Sequence, residues 1–176
     1  ERALLAEKKH VFSSDEICIQ VAFAGLCRTD VLVGKGIIPT QSHRILGHEC
    51  SGLITKTPKG SHLSNGMAVT IDPLLKSGFV GIERDGAFAE FISVPPEAVH
   101  PLPSRLSLKK AAFTEPVAAA LAVFNTDIAP AQRGLILGEG RIASLTHLLL
   151  SLRGFTQIQC ALVPPKESIF DFVIET

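Results

Sequence analysis

Ile17, Ile19, Val21 and Phe23 alternate with Cys18, Gln20 and Ala22, the two-residue period of a strand that buries one face. A turn at Gly25 ends the run. Strand-like stretches recur at residues 53–57, 67–71 and 88–94, separated by breakers such as Pro58-Lys59-Gly60 and Asn65-Gly66. The first half therefore predicts mostly β structure. Past Pro103 the texture changes. Residues 106–112 and 117–124 are rich in Ala and Leu at helical spacing, with Pro116 placed for the first helical position. A short apolar run at 134–138 leads into an amphipathic stretch at 141–153, closed by Gly154, whose missing Cβ suits a left-handed helix cap. Residues 158–163 and 170–174 read as two further buried strands, so the second half predicts α/β structure. No internal repeat or low-complexity segment interrupts the chain.

One spacing is physically awkward. Only residues 164–169 separate the last two strands, whereas a helical crossover between parallel neighbours takes about a dozen residues or more. The two strands form an antiparallel pair, sit apart in the sheet, or are joined in the intact polypeptide by residues outside this sequence.

Composition narrows the class. Lys plus Arg and Asp plus Glu each total 17 among 176 residues, a formal charge of zero that leaves no basic footprint for nucleic acid. Apolar residues make up 46% and charged residues 19%. That balance excludes general disorder, and no run approaches the roughly 18 apolar residues of a membrane span. Neither nucleic acid nor membrane is expected as a partner. The four cysteines, Cys18, Cys27, Cys50 and Cys160, form no C-x-x-C pair and are too sparse for a disulfide framework, which points to the reducing cytoplasm. The start, Glu1-Arg2-Ala3-Leu4-Leu5, lacks the apolar core of a secretion signal and also an initiator Met. An intact polypeptide longer than this sequence is expected.

Candidate chemistry lies in four places. Gly25-Leu26-Cys27-Arg28-Thr29-Asp30 and Gly47-His48-Glu49 together offer a thiolate, an imidazole and a carboxylate, the S, N and O ligand types that suit zinc. Taken singly, Cys27 is as readily a small buried apolar residue and His48 a structural histidine. Asp30 either accepts a hydrogen bond from the second nitrogen of His48 or merely complements a helix dipole with Thr29 as cap. Thr29 beside a metal would be a proton relay. Glu115 precedes Pro116 at a helix start, where it would stay ionised and serve as a metal ligand or only as a first-turn acid. Gly138-Glu139-Gly140-Arg141-Ile142-Ala143 follows a strand and opens a helix, the setting in which a G-x-G-x-x-A turn cradles a pyrophosphate. The alternative is an ordinary tight turn. Glu139 brings negative charge there, and the ribose-binding acid of such folds falls at Leu162, while Arg141 is placed to contact phosphate.

These motifs, together with Ile45-Leu46-Gly47-His48-Glu49, Asp85-Gly86-Ala87-Phe88-Ala89-Glu90-Phe91 and the segment from Leu106 through Glu115-Pro116 to Leu121, resemble the zinc-dependent medium-chain alcohol and polyol dehydrogenases in kind and in order. The resemblance implies a β-rich GroES-like barrel, residues 1–115, followed by an incomplete α/β Rossmann-like domain, residues 116–176. It implies Cys27 and His48 as catalytic zinc ligands, with Glu49 and Glu115 as carboxylates that bind or exchange at the metal. Glu115 aligns best with the sorbitol and threonine dehydrogenase branch. Thr29 would take the substrate proton, Asp30 would stand behind the histidine, and Gly138, Gly140, Arg141 and Ala143 would meet the cofactor. The implied activity is hydride transfer between an alcohol, polyol or amino alcohol and NAD or NADP, and by analogy a homo-oligomer.

The sequence also departs from that pattern. Residues 72–84 contain no cysteine, so the four-cysteine structural zinc lobe of many relatives is not expected. The nucleotide-binding part is short, which leaves a second reading: a zinc-binding remnant or non-redox module that has lost the nicotinamide cofactor. A third is a metal-free structural barrel.

Overall fold

The structure, a computed structural model, describes residues 13–165 and 169–176. The starting segment Glu1 to Leu5 lies outside the described residues. The chain divides into two compact units, Glu1–Glu115 and Pro116–Thr176.

The first unit is built on an antiparallel sheet of five strands, β1 (Ile17–Gly25), β2 (Glu49–Lys56), β3 (Ala68–Ile71), β6 (Phe91–Val94) and β7 (Val99–Pro101), in the order β6-β1-β2-β3-β7. Ile17, Ile19, Ile54, Val69, Ile71, Ile92 and Val94 pack into one core on its inner face. Removing each such side chain from water contributes about 1.5–3 kcal/mol, which is why the alternation at residues 17–21 is a reliable strand signal. The alternation stops short of Phe23, which was expected on the buried face and is instead 44% exposed. A register shift between Val21 and Phe23 inserts an extra residue into β1, and such a bulge re-aims the side chains beyond it.

Most strand ends fall within two residues of expectation, and two strand starts, those of β2 and β6, differ by more. β2 begins at Glu49, four residues before the apolar run at 53–57, because Glu49 and Ser51 are buried polar residues that hydrophobic periodicity does not register. β6 begins at Phe91 rather than Phe88. The N–H groups of Gly86, Ala87 and Phe88 bond instead to the carbonyls of Ile45, Gly47 and Leu46. Between β3 and β6 the cysteine-free stretch forms a small hairpin, β4 (Leu74–Leu75) with β5 (Gly78–Phe79).

Three helices stand outside these strands, α1 (Arg28–Gly34), α2 (Leu108–Ala111) and α3 (Thr114–Leu121). The Ser107 hydroxyl caps α2 by accepting from the Lys110 N–H at 3.4 Å. Pro116 is the third residue of α3 rather than the first. It is still within the first turn, where its missing N–H costs nothing.

In the second unit, β8 (Gly134–Leu137), α4 (Arg141–Leu152) and β9 (Ile158–Ala161) make one strand-turn-helix-strand passage, and β10 (Phe172–Glu175) completes a parallel sheet of order β10-β8-β9. Ile136, Ala143, Leu150 and Phe155 form its core, with Ile158, Phe172 and Ile174 packed against them. Gly154, at φ +86°, ends α4 as its composition predicted. β9 and β10 are only half covered among the described residues rather than buried on both faces. Of the three arrangements open to these strands, they sit apart, one on each side of β8. Returning along a four-residue strand and crossing two inter-strand spacings takes roughly 25 Å, within the roughly 33 Å that the ten residues of a chain segment such as 162–171 reach when extended. No helix is needed. Residues 166–168 of this connection lie outside the described residues.

Candidate metal centre

The strand register places the first two donors. Gly25 pairs with Glu49 where β1 meets β2, so the residue just past the end of β1 and the residues entering β2 come side by side. Cys27 follows Gly25 by two residues and is the N-cap of α1, with extended backbone at φ −97° and ψ 158°. One ligand atom each from Cys27, His48 and Glu49 lies within 4.8 Å of the others. His48 is 3% exposed and Glu49 1%.

Asp30, 4% exposed, ties the two donor-bearing segments together. Its Oδ2 accepts from the Cys27 N–H at 2.8 Å, and its Oδ1 accepts from the Gly47 N–H at 3.0 Å. The same Oδ1 lies 3.4 Å from His48 Nδ1. That is an ion-pair distance without the alignment of a formed hydrogen bond, and the buried Nδ1 has no other hydrogen-bond partner. With Nδ1 turned toward Asp30, Nε2 is the nitrogen left for a metal. Burial works to raise the Asp30 carboxyl, but His48 and the N–H groups of Cys27 and Gly47 outweigh it and hold the group below its ordinary value. Burial also works against charge on His48. Asp30, helped by Cys27, outweighs it and lifts the imidazole to about 9. Cys50, next along β2, is pushed up to about 12 by burial alone and is a neutral thiol.

The loop carrying His48 is fixed from the other side by residues 81–88. Besides the three backbone hydrogen bonds from Gly86, Ala87 and Phe88, at 2.7–2.9 Å, Asp85 Oδ1 accepts from the Ile45 N–H at 3.2 Å and pairs with Arg44 at 3.3 Å. Gly86 is required by contact, since a Cβ there would lie 2.2 Å from the Gly47 carbonyl oxygen. Gly47 itself has φ +94°, and a Cβ on it would enter the Phe88 ring. The sequence motif around Asp85 and Gly86 is thus a backbone clamp on the histidine loop. Its role was not legible from spacing, because main-chain bonds leave no residue-type signature.

The donor set suits zinc: thiolate, imidazole and carboxylate are its usual ligands. Cys27, His48 and Glu49 would be the residues to hold such an ion. Thr29 is beside these residues, with its Oγ1 3.7 Å from Cys27 Sγ. Glu115, half-buried in the first turn of α3, is not a member of the three-residue group.

In the second unit, Gly138 at φ +135° and Gly140 at φ +94° form the turn before α4. Arg141 opens the helix and Ala143 is buried against the sheet. A Cβ on Gly140 would meet only open space, with nothing within 4 Å. Next to Gly138, by contrast, the space is taken by Thr176. Leu162, just beyond β9, is 68% exposed and offers no acceptor for a ribose hydroxyl.

Comparison with known proteins agrees with this architecture. Galactitol 1-phosphate 5-dehydrogenase of Escherichia coli (strain K12) is 30% identical over 189 residues, covering 95% of this chain and 50% of that protein. Sorbitol dehydrogenase of Halalkalibacterium halodurans is 28% identical over 188 residues, covering 92% and 55%. The crystal structure of a candidate zinc-binding dehydrogenase from Sinorhizobium meliloti 1021, bound to NADP, superposes with a TM-score of 0.77 at 26% identity, over 92% of this chain and 55% of that one. The chain spans about half the length of the curated relatives it matches. The matched fold is a GroES-like β unit followed by a Rossmann-like α/β unit. Residues 13–104 match the model of the alcohol dehydrogenase GroES-like domain, and on that match the chain belongs to this family of zinc-type medium-chain dehydrogenases.

Proposed function

We propose that the chain carries the metal centre of a zinc-dependent oxidoreductase that moves a hydride between an alcohol, polyol or amino alcohol and NAD or NADP. The observation that carries this reading is the convergence of Cys27, His48 and Glu49 within 4.8 Å, braced by the buried Asp30. Zinc held by these three would supply a Lewis acid that polarises the substrate oxygen. The protein's own residues do the rest. Asp30 holds the Cys27 and Gly47 main chains at a fixed separation and keeps Nδ1 of His48 facing away from the metal. Thr29, in the first turn of α1, offers a hydroxyl to take the substrate proton.

Glu115 is proposed as a carboxylate that exchanges at the metal, joining the three-residue group only transiently. Gly138, Gly140, Arg141 and Ala143 form the turn proposed for the cofactor pyrophosphate, and the unit they belong to is read as the nucleotide-binding domain. Four free cysteines favour a reducing compartment such as the cytoplasm. No helix among the described residues is long and apolar enough to cross a membrane.

Zinc content of protein purified without added metal, measured beside NAD and NADP titrations of the full-length polypeptide, tests the reading. One zinc per chain and saturable binding of either nucleotide are expected. Metal-free protein with Cys27→Ser unchanged in fold and activity would overturn the metal centre. Zinc without binding of either nucleotide would overturn the dehydrogenase.

A further inference from the structure

His48 is held unevenly. Its main chain is clamped from two sides, but the one contact to its Nδ1, Asp30 Oδ1 at 3.4 Å, lacks hydrogen-bond alignment, so Asp30 draws that edge of the ring toward itself without fixing the ring plane. The aromatic ring that packs on the imidazole is Phe79, with ring centroids 5.2 Å apart and planes at 63°, the edge-to-face arrangement that aromatic rings prefer.

Phe79 is itself placed with unusual care for a half-buried residue that is not part of the barrel core. Its N–H donates to Glu83 Oε2 at 2.5 Å. Its carbonyl accepts from the N–H groups of Ile82, Glu83 and Arg84 at 2.9–3.2 Å. Gly78, at φ +112°, lets Glu83 fold back over the turn, since a Cβ there would lie 2.7 Å from the Glu83 Cβ. Gly81 leans the same turn on the ligand loop, its Cβ position only 3.0 Å from the Gly47 nitrogen. A tight six-residue turn thus delivers one aromatic ring to the edge of one imidazole.

We propose that Phe79 is a positioning residue for His48. Its ring limits rotation of the imidazole so that the nitrogen opposite Asp30 stays aimed at Cys27 and Glu49, and Glu83 keeps the ring there by capping its main chain. The inference rests on the metal-centre reading and adds to it what sets the aim of the histidine.

The test has two arms. In metal-free protein, imidazole nitrogen NMR at fixed pH compares wild type with Phe79→Ala, Phe79→Leu and Phe79→Tyr. In the second arm, zinc affinity is measured by competition with a chromophoric chelator, and the visible spectrum is recorded after cobalt substitution. Phe79→Ala is expected to move the His48 ring resonances, weaken zinc about tenfold, the lower end of what loss of an orienting neighbour costs, and alter the cobalt bands. Phe79→Tyr should restore all three. Resonances and affinity within twofold of wild type in Phe79→Ala would overturn the proposal, as would a loss that Phe79→Tyr fails to restore, which belongs to general packing. Should Phe79→Ala not fold, Phe79→Leu keeps the bulk without the aromatic edge and is judged by the same outcomes. A wild-type protein that takes up no zinc removes the metal reading, and the ring resonances alone then decide whether Phe79 sets His48.

Discussion

Gly25 and Glu49 are register partners across β1 and β2, and a Cβ on Gly25 would stand 2.2 Å from Glu49 Oε2. The carboxylate of one strand occupies the side-chain space of the other. Because the nearest obstacle is the end of a flexible side chain, Gly25→Ala is expected to fold and to displace the Glu49 carboxylate. Zinc affinity should then fall about tenfold or more, as for loss of an orienting or ligating group, with an unchanged circular dichroism spectrum. Wild-type affinity in this variant would take Glu49 out of the donor set.

Asp30→Asn keeps the shape of the strut between α1 and the His48 loop but removes its charge. Asn can accept from the Cys27 or the Gly47 N–H, not from both. One buried N–H then goes unpaired, at a cost of about 1–3 kcal/mol in urea unfolding of the metal-free protein. Zinc affinity should fall about 10–100-fold. An unchanged urea midpoint would show that the two hydrogen bonds at 2.8 and 3.0 Å carry no net stability.

Thr29→Val replaces the proposed proton acceptor by a residue of like shape. Turnover of alcohols and polyols should drop about 10²–10⁴-fold at unchanged zinc content. Glu115→Ala should instead change the rate of zinc exchange while leaving the three-donor site loaded. A Thr29→Val enzyme as active as wild type would reassign the proton step to another group.

Thiol labelling should follow burial and metal together. Cys160 is exposed and Cys27 half-buried, whereas Cys18 and Cys50 are buried. In metal-free native protein, iodoacetamide is expected to modify Cys160 first and Cys27 next. Cys18 and Cys50 should react only after denaturation. Zinc should protect Cys27 alone, read by peptide mass spectrometry. Protection of Cys160 as well would point to metal bound elsewhere.

Much of the barrel was legible in residue order. The alternation at Ile17, Ile19 and Val21, the strand at 67–71 and the cap at Gly154 are local effects, in which side-chain period or backbone freedom acts over a few neighbouring positions. So were the residues that the fold brings together in the proposed metal site, because Cys27, His48 and Glu49 sit in short motifs. Tertiary structure decided what depends on distant partners. The bulge that exposes Phe23, the early start of β2 through buried Glu49 and Ser51, and the diversion of residues 86–88 from strand to clamp all follow from pairing with segments far along the chain. Likewise, the positions of β9 and β10 on either side of β8 come from sheet pairing that spacing left open. The ring of Phe79 against His48 belongs with these, since two residues 31 positions apart meet only when hairpin and loop are folded onto one another, and no periodicity records that contact.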